Sequence, residues 1–521
     1  MKSVFVHPTI GEVVGNKAEG CTQFLGVKYA TLKHRLAPAE PVQYRGEGID
    51  ATKHGPQVVG PPSGVDMEHG FIQHELPKPE FPGVSDVDGL SLNITVPVFI
   101  HGGGFVLGGN WWPQYDLAKV VKLSTDLGKP LIAININYRV GAPGFLTSPE
   151  LRAAGCQTNN GLRDQRAALR WIQEYIAGFG GDPNQVTVMG ESAGAVSAGL
   201  LLLSKEPLAK QLILIGGSPP LMGQLPMPAA DHIAKDVMLA LGLDGVPSSD
   251  AAQRLLNIPV EDFWTKIPMS IPMIPVIDND VVPTQVTLRT FSQGVPAMPG
   301  YDWVSSIMVG DSKLDASIMA YTSLLARKAG IAASFQASAA KTLQAHPDTL
   351  KSLLQHYSLD ETATSTLTDD EALLNILKFI SDVAFFMPAV EIASNFPKNS
   401  FIFGFNEPNP WDGLFKGHAS HVLDVAFLFQ NYNQFLDETQ RASAVAFATD
   451  VITFTNSQQP WKPFNNGDNG AAFYSNGKRG FSEPSFTEQS GRSPFILEVG
   501  RDETGPGKDV LVQVFTDFIT G

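Results

Sequence analysis

Short runs of Val, Ile and Leu recur through the middle of the chain and alternate with longer stretches whose apolar residues return every three or four positions. The runs at 92–100 (LNITVPVFI), 130–138 (PLIAININY), 186–189 (VTVM) and 211–215 (QLILI) are nearly continuous. Runs of this kind suit strands covered on both faces, as in a mostly parallel sheet. Between them, 162–177 sets Leu162, Ala168, Leu169, Ile172 and Ile176 at helical spacing with Arg and Glu opposite. Gly180-Gly181-Asp182-Pro183 stops that helix and turns the chain into the next strand. Residues 401–405 predict a further strand, and 437–456 a surface helix. Residues 316–395 read as mostly helical, 220–300 as Pro- and Met-rich with short helical pieces, and 1–60 as a small antiparallel start. No internal repeat or linker interrupts the pattern. The expectation is an α/β fold with a central, mostly parallel sheet flanked by helices. Residues 1–521 then form one unit, with a largely helical insertion at 220–400.

Composition narrows the function. Of the 521 residues, 43% are hydrophobic and 17% charged, which excludes a disordered chain. A formal charge of −15 argues against nucleic acid and against anionic membrane surfaces as partners. Two cysteines, Cys21 and Cys156, allow at most one disulfide. The apolar run in MKSVFVHPTIGEVV is too short for a signal-peptide core. No stretch approaches the roughly 18 apolar residues of a membrane span. Together these predict a cytoplasmic protein. The Asn93-Ile94-Thr95 sequon lies in a strand-like segment and reads as structural. No H-E-x-x-H, paired C-x-x-C or dinucleotide-type G-x-G-x-x-G is found, so neither metal nor cofactor is expected.

Two motifs carry candidate chemistry. Gly190-Glu191-Ser192-Ala193-Gly194 follows the run VTVM and precedes an apolar helical stretch. A serine on a sharp strand-to-helix turn presents its hydroxyl above the sheet, which makes Ser192 a candidate nucleophile. Upstream, His101-Gly102-Gly103-Gly104-Phe105 follows the run PVFI. Consecutive glycines bare their amides, and the N–H groups of Gly103, Gly104 and Ala193 are the expected oxyanion donors. His101 reads as structural. Phe105, Trp111, Trp112 and Tyr115 either line an aromatic substrate wall or pack the core, and the sequence leaves both open.

With these motifs, the chain resembles the type-B carboxylesterases, which include the cholinesterases. Residues 24–30 (FLGVKYA) and 137–146 (NYRVGAPGFL) look like two family segments, and 159–194 resembles the family signature almost position by position. The details look most like intracellular fungal members. The resemblance implies a single catalytic domain with a gorge above the sheet, and a triad in the order serine, acid, histidine. The family acid position in 310–316 (GDSKLDA) is matched by Asp315, with Asp311 the nearest competitor. The base position is matched by His421, with Asp424 three residues on, and His418 competes. Glu191 is implied to be buried and structural. Gly89 stands where many members carry a cysteine, so the disulfide of secreted relatives is not expected. Residues 92–101 lack the longer loop that usually precedes the glycine motif, as though two strands were fused or shortened. The implied activity is hydrolysis of a small neutral or hydrophobic carboxylic ester. An acyltransferase or cyclase on the same triad is one alternative, and a non-catalytic interaction protein of the same fold is another. Oligomeric state is not addressed by the sequence.

Overall fold

A computed structural model describes residues 1–464, 470–481, 491–501 and 505–521. Its centre is one long twisted sheet. Strands are labelled here as β1 (Lys2–His7), β2 (Gly11–Ala18), β3 (Cys21–Lys28), β4 (Ser91–Thr95), β5 (Val98–Ile100) and β6 (Ala133–Ile136). They continue as β7 (Thr187–Glu191), β8 (Gln211–Ile215), β9 (Ser306–Ser312), β10 (Asn399–Phe405), β11 (Ala471–Ser475) and β12 (Lys478–Phe481). The spatial order is β1-β2-β3-β4-β6-β5-β7-β8-β9-β10-β11-β12. Pairing is parallel from β6 through β11 and antiparallel at both flanks. Every residue of β7 and β8 is buried, as their unbroken apolar runs require.

The expected single strand at 92–100 is two strands. β4 and β5 lie on opposite sides of β6, joined only by Val96 and Pro97. Two sheet spacings are about 9.5 Å. Three extended residue steps reach about 10 Å, so the crossing is just spanned. It is also fully bonded. Val96 exchanges backbone hydrogen bonds with Thr22, and the Pro97 carbonyl accepts from the Ile134 amide at 2.8 Å. The short segment is therefore a taut, ordered crossing beneath the start of β6, and β5 still delivers the glycine motif in register with β7.

Other elements follow or depart from the pattern. The predicted helix is Asn160–Tyr175. The helix at Glu438–Thr455 is not superficial: Phe447, Val451, Ile452 and Phe454 are buried against the sheet. β9 escapes the sequence pattern because Gly310, Asp311 and Ser312 break its apolar run, yet all seven of its residues are buried. Asp369–Asn395 is long and apolar enough to cross a membrane by length and composition, but 83% of its apolar window is buried inside the fold. Cys21 and Cys156 are both free. Asn93 is spent inside the sheet, where its Nδ2 donates to the Asn110 carbonyl at 2.7 Å and its Oδ1 accepts from the Gly26 amide at 2.9 Å.

Residues 137–164 owe their order to a buried ion pair. Arg139 Nε and Nη2 donate to the two oxygens of Asp164 at 2.8 and 2.7 Å, and Nη1 donates to the carbonyls of Arg35 and Ala37. Both side chains are almost wholly excluded from solvent. The pair clamps the chain after β6 to the helix that leads into β7. Asp164→Ala should strand the guanidinium and destabilise the fold by about 3–5 kcal/mol, the usual consequence of halving a buried pair. Urea unfolding of the variant beside the parent checks this.

Candidate functional site

Loops at the carboxyl ends of the adjacent parallel strands β5, β7, β8, β9 and β10 converge, which is where open α/β sheets place their sites. Ser192 ends β7 with φ 54° and ψ −122°, a region that side chains rarely occupy. Its amide donates to the Ile215 carbonyl at 3.0 Å, and its own carbonyl accepts from the Val196 amide that opens the following helix. The turn is possible because two residues lack a Cβ. One added at Gly190 would lie 2.0 Å from the Gly194 carbonyl oxygen, and one at Gly194 would lie 2.0 Å from that of Ile100. Ser192 stands at the N-terminus of Ala193–Leu200, where the helix favours developing negative charge.

Beneath the turn runs the glycine loop. Gly103 has φ 94°, and a Cβ there would strike the Leu107 carbonyl at 2.3 Å, so the loop can form only with glycine. The carbonyl of Gly103 accepts from the amides of Val106 and Leu107, which closes the loop. Among the described residues, the amides of Gly103, Gly104 and Ala193 donate to no backbone or side-chain acceptor. A Cβ at Gly102 would meet Glu191 Oε2 at 2.3 Å and Ser192 Cβ at 3.0 Å, so this loop lies against the Ser192 turn.

Asp315 and His421 are brought together. Asp315 follows β9 and is held by one carboxylate oxygen, Oδ2, which accepts from the Ser312 amide at 2.8 Å. Its other oxygen lies 2.7 Å from His421 Nδ1. A carboxylate only accepts, so Nδ1 carries the proton of this contact. The His421 amide donates to Ser317 Oγ at 2.8 Å, and the ring meets Phe385 edge-on at 5.9 Å. Val422, the next residue, sits at φ 69°, a strained position for a β-branched side chain. The segment after β8 joins this pair to the turn: a Cβ at Gly217 would lie 2.7 Å from the Ser192 carbonyl oxygen, and one at Gly216 would lie 3.2 Å from Asp315 and 3.5 Å from the His421 ring.

The competitors are placed elsewhere. Asp311 is buried and paired with Arg492. His418 lines a separate surface cavity. His101 stacks on Tyr138 at 4.4 Å, and burial pushes its ring down to about 4. Phe105 packs on Phe145 in the main core, and Trp111 donates to Gln57 Oε1 at 2.9 Å within the second core cluster. Both side chains are buried. Asp182 accepts from the Asn184 amide in its turn.

The surroundings of this pair are strongly acidic, which no motif announces. Glu191 is buried, with Oε1 3.2 Å from His421 Nε2, and Asp424 and Glu68 are buried nearby. Glu68 comes from the helix Gly64–Ile72, and its Oε1 accepts from Gln114 Nε2 at 2.9 Å. No motif marks Glu68, so only the fold could find it. Desolvation pushes Glu191 well above the usual carboxylate range, and Glu68, Asp424 and Asp315 push it further against the opposing pull of His421. Desolvation likewise raises Glu68 to about 7, and raises Asp424 to about 7. For His421, desolvation lowers the pKa, but Glu191, Asp315 and Asp424 outweigh it and bring the ring up to about 9. Glu191 drives the imidazole upward only while ionised, and its burial among carboxylates favours the neutral acid. Among the described residues no group of three or more potential ligands is arranged to hold a metal ion.

Comparison with known proteins matches this architecture. The sequence model described as the carboxylesterase family covers residues 2–476. The chain is 34% identical over 213 residues to Lipase 1 of Yarrowia lipolytica, covering 39% of this chain and 43% of the relative. It is 35% identical over 215 residues to the para-nitrobenzyl esterase of Bacillus subtilis, covering 41% of this chain and 42% of the relative. It is 28% identical over 305 residues to a secreted lipase of Arthroderma benhamiae, covering 56% of this chain and 50% of the relative. Each of these matches thus spans half the relative's length or less. A solved PNB esterase shares the fold, with TM-score 0.68 and 21% identity over 94% of this chain and 100% of that one.

The largest upward push on His421 comes from Glu191. Glu191→Gln removes that charge, destabilises the imidazolium and should move the ring's titration to lower pH. NMR of the His421 imidazole in both proteins is the check. An unmoved midpoint would show that Glu191 is neutral throughout.

Proposed function

The chain belongs to the carboxylesterase family, and from that membership we propose that it hydrolyses carboxylic esters of small molecules through Ser192, His421 and Asp315. The observation that carries the proposal is the buried 2.7 Å contact of Asp315 with His421 Nδ1, beside a serine held at φ 54°. Asp315 holds the ring with its proton on Nδ1, so that Nε2, 3.2 Å from Glu191 Oε1, is the basic nitrogen, and it stabilises the imidazolium when it forms. His421 takes the Ser192 proton as Oγ attacks the ester carbonyl. The amides of Gly103, Gly104 and Ala193 receive the oxyanion, and the helix that begins at Ala193 adds its dipole. His421 then protonates the departing alcohol. Water, deprotonated by the same ring, releases the acid and restores Ser192.

The acidic surroundings fit this cycle. The imidazolium exists only between proton transfers, and buried carboxylates on two sides lower its energy there. The same groups hold a proton on His421 more tightly at rest, so activity should rise with pH along the limb that deprotonates the ring.

Ser192→Ala should reduce turnover of p-nitrophenyl butyrate by at least about a thousandfold while the protein stays folded. Circular dichroism and release of p-nitrophenol measure both. Undiminished turnover in the variant would remove Ser192 from the mechanism.

A further inference from the structure

Outside the site, the two loops that carry Asp315 and His421 meet again on their far side. Leu314 and Ser420 form a backbone bridge, and the Leu314 amide donates to the Ala419 carbonyl at 2.8 Å. This junction forms one wall of a surface cavity of about 550 Å³. In a chain of net charge −15, the lining is unexpectedly basic: Lys313, Lys378 and Arg492, with His356 and His418.

Among the described residues that line it, the counter-charge is already engaged. Arg492 pairs with Asp311 and with Asp382, whose Oδ2 also accepts from the Tyr357 hydroxyl at 2.9 Å. Lys378 Nζ donates to Asn375 Oδ1 at 3.1 Å. Among the described residues, neither Lys313 nor Lys378 has a carboxylate at ion-pairing distance. Partial desolvation pushes the Lys313 ammonium below its usual range, and Arg492 and Lys378 push it further, with only Asp382 opposing. His418 is lowered by desolvation and by Lys378. Like charges gathered in a concave, partly desolvated surface repel one another until an anion joins them.

We propose that this cavity is a binding site for a small multivalent oxyanion, a phosphate or a polycarboxylate, held by Lys313 and Lys378 with His418 at its edge. Such a ligand bridges the two loops behind the catalytic pair, since Lys313 lies two residues before Asp315 and His418 three before His421. It fastens elements that the fold otherwise joins by one bridge and the hydrogen bonds around it.

Isothermal titration calorimetry of the full chain, at fixed ionic strength, tests the site with citrate and separately with inorganic phosphate. Saturable one-site binding of either is expected, with citrate alone assigning the site to polycarboxylates and phosphate alone to compact inorganic dianions. Lys313→Ala and Lys378→Ala should each weaken it roughly tenfold, as loss of one charge-assisted contact does. Both side chains are exposed, so the folded state should survive, and Lys53→Ala at a distant exposed site serves as the control. No saturable binding of either anion, or equal affinity in all four proteins, overturns the proposal. The readout is binding and not turnover, so it stands or falls apart from the esterase reading.

Discussion

A serine held at φ 54° and ψ −122° relaxes unless the backbone around it has nowhere else to go. Here the confinement comes from two contacts too close for any side chain, Gly190 against Gly194 and Gly194 against Ile100. Those contacts exist only because β5 and β7 run parallel with Ile100 opposite Gly190. The register of two buried strands therefore sets the height of the turn that carries Ser192. The glycine loop that leaves β5 inherits its position from the same register, so the Gly103, Gly104 and Ala193 amides and Ser192 are placed by one constraint.

That constraint extends to the shortened segment between β4 and β5. A longer loop is not needed to keep Ile100 in place. Val96 and Pro97 cross beneath β6 at nearly full extension and are hydrogen-bonded on both sides. The sheet tolerates the shortening because the crossing lies at the amino ends of the parallel strands, away from the loops at their carboxyl ends.

Electrostatics forms the second layer. Glu191, Asp315, Asp424 and Glu68 are buried around one imidazole, and desolvation raises Glu191, Asp424 and Glu68 toward their protonated forms. Arg492 neutralises the next carboxylates outward, Asp311 and Asp382. The acid position is thus distinguished from its competitor by partner: Asp311 faces a guanidinium, and Asp315 faces the ring. A histidine in such a nest has its protonation set by the cluster as a whole.

Much of this was legible in the residues. The apolar runs marked β7 and β8, the 3.6-residue period marked the helix at 160–175, and the glycine spacings around Ser192 and at 102–104 marked two strained turns. These are local signals, in which a residue type answers a backbone demand within a few positions. What the sequence could not decide depends on contacts between distant segments. β9 is hidden because a buried strand with polar residues at its end has no periodic signature. The burial of Phe105 and Trp111 in two separate core clusters is set by contacts with distant segments. Glu68 approaches the site from a helix far upstream, with no motif to announce it. The sequence offers both Asp315 and Asp311, and both His421 and His418; only the tertiary structure sets Asp315 2.7 Å from His421 Nδ1. Chemistry of that kind is a matter of angstroms across 106 residues of chain, and only the packed fold fixes distances of that order.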